Sequence, residues 1–196
     1  GPISRVDRLD FANDSTTMVQ KGSLSSARNA VQATGSPSYG YFAGGNSGPG
    51  TPYSTIDRID FSNDTPTASP KGALTAAKRY SMGVSYQGNG LTSTTFIPRI
   101  RWLDSEPEVS ASDLAPAFGY FHGGEPGYTK TRIDRIDFSN DTDTLTARGP
   151  LSTGRSWTGV ASNKDYGYWA GGYVWPTGPH QKSNVDRIDY SNDSAT

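Results

Sequence analysis

The sequence contains no cysteine. That removes disulfides, thiolate metal sites and a cysteine nucleophile together. Its two histidines, His122 and His180, lie in separate stretches of chain, so no histidine-based metal set is offered. Excess charge of one sign is lacking as well: 18 basic and 19 acidic residues leave a net charge of −1. Such a balance gives no electrostatic footprint for nucleic acid or an acidic membrane surface. No apolar run approaches the roughly 20 residues of a membrane-spanning helix. Aliphatic residues are scarce too. Leu, Ile, Val and Phe make up about 16 % of the chain, below the ~20 % at which a globular core becomes doubtful.

What is present points the other way. Gly, Pro, Ser and Thr form about 41 % of the chain, yet aromatics reach 11 %. Disordered chains usually combine low hydrophobicity with high net charge and few aromatics. A core built from small and aromatic residues is therefore expected. Gly1-Pro2 reads as the remnant of a cleaved tag and is set aside.

The chain repeats itself. A unit [V/I]-D-R-[I/L]-D-[F/Y]-x-N-D-[S/T] begins at Val6, Ile56, Ile133 and Val185. A second, G-Y-[F/W]-x-G-G, begins at Gly40, Gly119 and Gly167. A third, G-x-L-[S/T]-x-[A/G]-[R/K], ends at the basic residues Arg28, Lys78 and Arg155. Each reads as strand and turn. Ile56 to Phe61 alternates, with Ile59 and Phe61 expected on one face and Ile56 on the other. The Asn-Asp that follows favours a tight turn. Residues 79–85 alternate and read as another strand. Pro66 and Pro70 suit a sheet edge. No window shows a helical period.

The expectation is an all-β chain of four-stranded repeats about 50 residues long, the signature of a β-propeller blade. The order of short aromatic run, Gly-Gly, later aromatic (Phe61, Phe138, Tyr190) and basic residue resembles the kelch repeat. The Trp that kelch repeats carry after that aromatic is absent. A closer resemblance is to tandem repeats in virion structural and tail-fibre-like proteins of marine cyanobacterial phages. The matching stretches are 119–124, 54–65 and 149–155. That resemblance implies a virion appendage, extracellular, that contacts a host-surface glycan or another virion protein.

Residues 3–22 supply a partial blade of third and fourth strands. Residues 23–72 form a blade, and 73–149 another that contains an insertion at 91–116. Residues 150–196 form a blade lacking most of its last strand. Three-plus blades fall short of the four to eight at which propellers close. The two terminal segments both carry the V-D-R motif, so they duplicate rather than complete each other. Closure then calls for a homo-oligomer, for flanking sequence or for strand exchange, and identical partial rings assembling cyclically satisfy it best.

The repeated pairs Asp7-Arg8, Asp57-Arg58, Asp134-Arg135 and Asp186-Arg187 are candidates for structure rather than chemistry. Strand neighbours point to opposite faces, so each Arg should meet an acid on a neighbouring strand or blade. The alternative is a ligand pocket repeated between blades. The Asn-Asp-[S/T] stretches fit a glycosylation pattern and contain calcium-type ligands, but turn chemistry accounts for them. His122 stands where other repeats have Ala43 and Ala170. No nucleophile elbow, zinc-protease or P-loop pattern appears, so no catalytic residue, metal or cofactor is assigned.

Specificity belongs where repeats differ. The variable loops hold Tyr53, Tyr128, Tyr173, Trp175 and His180, aromatic candidates for ligand binding. The insertion carries Phe96, Arg99, Arg101, Trp102, Asp104 and Glu106, candidates for docking on a neighbouring chain. The functional expectation is a non-enzymatic binding or structural module. The alternatives are a pure scaffold, or an oxidase or sugar hydrolase on a kelch-like propeller.

Overall fold

A computed structural model describes residues 1–48, 50–85, 118–124, 131–163, 165–174 and 180–193. Among these the chain is all-β, with one short 3₁₀ turn at Tyr190–Asn192. Among the described residues no helix is long and apolar enough to cross a membrane. The strands fall into four antiparallel meanders. The first pairs β1 (Asp7–Arg8) with β2 (Val19–Gln20). The second runs β3 (Gln32–Gly35), β4 (Tyr39–Ala43), β5 (Ile56–Asp60) and β6 (Ser69–Pro70). The third runs β7 (Met82–Ser85), β8 (Phe118–His122), β9 (Ile133–Asp137) and β10 (Thr146–Arg148). The last runs β11 (Gly159–Ser162), β12 (Tyr166–Ala170) and β13 (Val185–Asp189). Pro70 sits on the edge strand β6, where its missing N–H costs no ladder bond.

Register repeats from sheet to sheet. Tyr41 faces Arg58, Tyr120 faces Arg135, and Tyr168 faces Arg187. The sheets pack on one another, and the apolar clusters lie between them. One cluster joins Tyr41 and Ile56 of the second sheet to Phe121 and Ile136 of the third. The other joins Tyr120 and Ile133 of the third to Trp169 and Ile188 of the last. The third sheet is thus covered on both faces, which is why Ile133 and Ile136 are both buried although they alternate. Stacked aromatics add to this. Phe138 lies on Tyr41 with centroids 4.9 Å apart, and Tyr190 on Tyr120 at 5.2 Å. Such pairs contribute about 0.5–1.5 kcal/mol each beyond buried area.

Ile59 and Phe61 share a face as expected: Gly40 pairs with Ile59, and the Phe61 ring lies 3.0 Å from where a Cβ on Gly40 would stand. Ile59 is buried there, whereas Phe61 stays 52 % exposed. Its counterparts Phe138 and Tyr190 are covered by a tyrosine of the preceding sheet. The two-stranded first sheet offers Phe61 no such ring.

Each Asp-Arg pair splits between two jobs, because its side chains leave opposite faces of the strand. The aspartate turns inward to the basic residue of its own repeat. Asp57 meets Arg28 at 2.8 Å, Asp134 meets Lys78 at 2.6 Å, and Asp186 meets Arg155 at 2.7 Å. The arginine reaches the Asn-Asp turn of the next sheet. Arg8 pairs with Asp64 at 2.7 Å, Arg58 with Asp141 at 2.7 Å, and Arg135 with Asp193 at 2.8 Å. Those aspartates gather more donors. Asp141 also accepts from the Tyr41 hydroxyl at 2.9 Å, and Asp193 from the Tyr120 hydroxyl at 2.9 Å. Their main-chain carbonyls join in. Gly22 N–H donates to Asp64 O, Gly72 N–H to Asp141 O and Gly149 N–H to Asp193 O, at 2.8, 2.7 and 3.3 Å. The approach is so close that a Cβ on Gly22 or Gly72 would lie 1.8 or 1.7 Å from a carbonyl oxygen of the next sheet. Asp7 and Arg187 depart from the pattern. Asp7 is exposed and pairs with Arg5, whereas Arg187 lies over the Tyr166 ring at 4.3 Å.

Candidate functional site

Just before the first strand of each larger sheet the chain makes the same sharp turn. Ala30, Tyr80 and Trp157 have φ of 53°, 57° and 56°. Each stands two residues after the repeat's basic residue. The left-handed region costs a non-glycine residue about 1–2 kcal/mol. Neighbouring turns hold one another there. The Tyr80 N–H donates to Ala30 O at 3.4 Å, and the Trp157 N–H to Tyr80 O at 3.2 Å. Ser156 and Tyr173 exchange both main-chain bonds, at 3.0 and 2.8 Å. The turns of three successive sheets therefore lie side by side.

An aromatic cluster crowns two of these turns. The Trp157 ring lies 5.5 Å from Tyr80, edge to face, and 5.7 Å from Tyr173. Tyr173 stacks on His180 at 5.1 Å with the rings 18° from parallel. The Arg79 guanidinium sits 5.2 Å from the Tyr80 ring centroid. His180 Nδ1 lies 3.0 Å from the Val174 carbonyl oxygen, which places its proton on that nitrogen. Trp157 is 56 % exposed, while Tyr80, Tyr173 and His180 are half-buried. The arrangement presents an indole to solvent, fixed by packing on its neighbours. It offers π faces and ring edges to a ligand carrying C–H groups or positive charge.

Of the candidates drawn from sequence, Tyr173 and His180 come together here. Tyr53 does not join them. It is half-buried and its main chain is bonded to Gly45 and Lys78, at 2.8 and 3.0 Å. No ring contact among the described residues links it to the cluster. Tyr128, Trp175 and the insertion candidates Phe96, Arg99, Arg101, Trp102, Asp104 and Glu106 lie outside the described residues. Tyr80 and Trp157 were not expected. Residues 79–85 read as one strand, but β7 begins only at Met82, after the left-handed turn at Tyr80. The available signal was a bulky aromatic at the position that Ala30 occupies in the first of the three turns.

Beneath the turns the polar side chains are buried but not all satisfied: His122 Nδ1, Ser81 Oγ and the Gln32 amide make no hydrogen bond among the described residues. His122 is fully buried, with Nε2 against the Thr158 hydroxyl and its ring edge-on to Trp169. Burial, then the charges of Lys78 and Arg155, push its pKa down to about 3. Burial likewise lowers Lys78, although Asp134 works against it. Among the described residues no three His, Cys, Asp or Glu side chains are grouped as a metal site. Equivalent recesses recur beside the Asn-Asp turns, lined by Arg58, Asp60 and Asn63 in one sheet and by Arg135, Asp137 and Asn140 in the next.

No family model and no curated protein matches the chain. Among solved structures 125 chains match. One, described as the structure of YjhT, has a TM-score of 0.66 at 11 % identity, covering 98 % of this chain and 51 % of that one. The chain thus spans about half the length of that structure. At this identity the likeness concerns the fold alone.

Proposed function

We propose that the chain is a non-enzymatic β-propeller-type module that binds a surface ligand, a glycan foremost, through its aromatic turns. The observation that carries this reading is Trp157, a solvent-facing indole in a left-handed turn, set among Tyr80, Tyr173 and His180. Residues in sparsely populated backbone regions persist where their surroundings over-determine them, and they cluster at ligand clamps. The propeller reading is supported by successive antiparallel meanders that pack on each other through one repeated contact. The likeness to the YjhT structure bears on the same point. The resemblance to phage repeats extends the proposal to a virion appendage that meets a host surface.

A second reading, pure scaffold, is favoured by the ion pairs, since the repeated aspartates of the larger sheets are engaged in packing. A glycan array probed with the purified chain separates the two. Binding should fall at least tenfold in Trp157→Ala and Tyr173→Ala and persist in Tyr53→Ala. No binding by the wild-type chain, or equal binding by Trp157→Ala, would leave the scaffold reading standing.

A further inference from the structure

The contact that joins one sheet to the next has two halves. The earlier sheet presents a tyrosine and an arginine in register. The later sheet presents a turn whose aspartate accepts from both and whose aromatic lies on the tyrosine. Arg58, Tyr41, Asp141 and Phe138 complete it between the second and third sheets. Arg135, Tyr120, Asp193 and Tyr190 complete it between the third and last.

The two ends of the stack each carry one half alone. On the last sheet Arg187 is exposed, and no carboxylate pairs with it among the described residues. Tyr168, opposite Arg187 in register, is half-buried, whereas Tyr41 and Tyr120 are fully buried. Val185 beside them is 62 % exposed, although its counterparts Ile56 and Ile133 are 0 % and 3 % exposed. On the first sheet Phe11 is 90 % exposed and Asp14 is exposed, where the equivalent Asp64, Asp141 and Asp193 are all buried. An uncovered tyrosine-arginine face and an uncovered aromatic-carboxylate face are complementary in shape class and in charge.

We propose that these faces bind each other between copies of the chain. The β1–β2 sheet of one copy docks on the β11–β12–β13 sheet of the next, Phe11 stacking on Tyr168 and Asp14 accepting from Arg187 and from the Tyr168 hydroxyl. The occupant is a second copy because the two exposed faces supply each other's missing half: Phe11 and Asp14 on the first sheet, Arg187 and Val185 beside Tyr168 on the last. Two such sheets cannot merge into one blade, but they can stand as successive members of a stack. The contact is head-to-tail, of the kind that forms rings or filaments rather than simple two-fold pairs. It does not depend on the ligand reading above.

Sedimentation equilibrium of the 196-residue chain over a wide concentration range tests it. The wild-type chain should self-associate. Asp14→Arg and Arg187→Asp should each weaken association at least tenfold, and the double exchange should restore most of it. Phe11→Ala should weaken it as well. All are surface changes, and circular dichroism checks that each variant stays folded. A wild-type chain that remains monomeric throughout overturns the proposal. So does association that both charge reversals leave unchanged, or a double exchange no better than the single variants.

Discussion

The hydroxyl of Tyr41 donates to the carboxylate of Asp141 at 2.9 Å, from one hundred residues away in the chain. The same carboxylate oxygen accepts from Arg58 at 2.7 Å. Burial, reinforced by the bond to Asp141, raises the Tyr41 pKa well above the ordinary tyrosine value. Asp141→Ala should therefore cost about 3–5 kcal/mol, because it strands a buried hydroxyl and a guanidinium together. Asp141→Asn, which keeps an acceptor, should cost less. Urea denaturation of the two variants gives the comparison, and equal losses would show that the acceptor is immaterial.

Acid should weaken the fold through His122. Its folded pKa of about 3 lies below the ~6.5 of an unfolded histidine. As pH falls through 6.5 the unfolded chain binds the proton first, so stability declines until about pH 3. His122→Ala installs the residue that the other repeats carry and removes this term. The stability advantage of wild type over variant should shrink by up to about 1.4 kcal/mol per pH unit between pH 6 and 4. A difference that stays constant across that range would rule out the titration.

Gly72→Ala should destabilise by about 1–3 kcal/mol or more. The new methyl would fall 1.7 Å from the Asp143 carbonyl oxygen, and both sides of that contact are main chain. Gly48→Ala is the control, with only the Thr51 hydroxyl 3.8 Å away, and should change stability by no more than about 0.5 kcal/mol. Thermal unfolding of both distinguishes a close approach from a general intolerance of alanine.

Ala30→Gly should leave stability unchanged or raise it by up to about 1 kcal/mol. It relieves a left-handed alanine at φ 53° at the expense of greater freedom in the unfolded chain. Ala30→Val should destabilise, since a branched side chain fits that backbone region worst. A glycine variant less stable than the valine variant would contradict the turn geometry.

Much of the fold was legible because the scarce apolar residues recur in phase. The Ile-Asp-Arg-Ile-Asp runs became β5 and β9, and the Tyr-Gly-Tyr-Phe run became β4. Strand alternation also placed Asp57 and Arg58 on opposite faces, with Arg58 reaching an acid on the next sheet. The identity of that acid was hidden. Asp141 looks like a turn residue, and it is one, but its carboxylate serves the neighbouring sheet while its backbone serves the turn. The aromatic cluster was half legible. Tyr173 and His180 stood out in a variable loop, whereas Tyr80 was hidden in the alternating stretch 79–85 that reads as strand, and no motif singled out Trp157. Tertiary bonds to the adjacent turns accompany the positive φ of both.

The inter-sheet contact through Asp64, Asp141 and Asp193 links each sheet to its immediate neighbours. Cooperativity in such a stack is transmitted only from one member to the next, as in a one-dimensional chain of coupled units. Severing the middle coupling therefore splits unfolding into two separable transitions. Severing an end coupling frays one sheet and leaves the others to melt together. Hydrogen exchange along the chain would then map a gradient of protection that peaks in the third sheet.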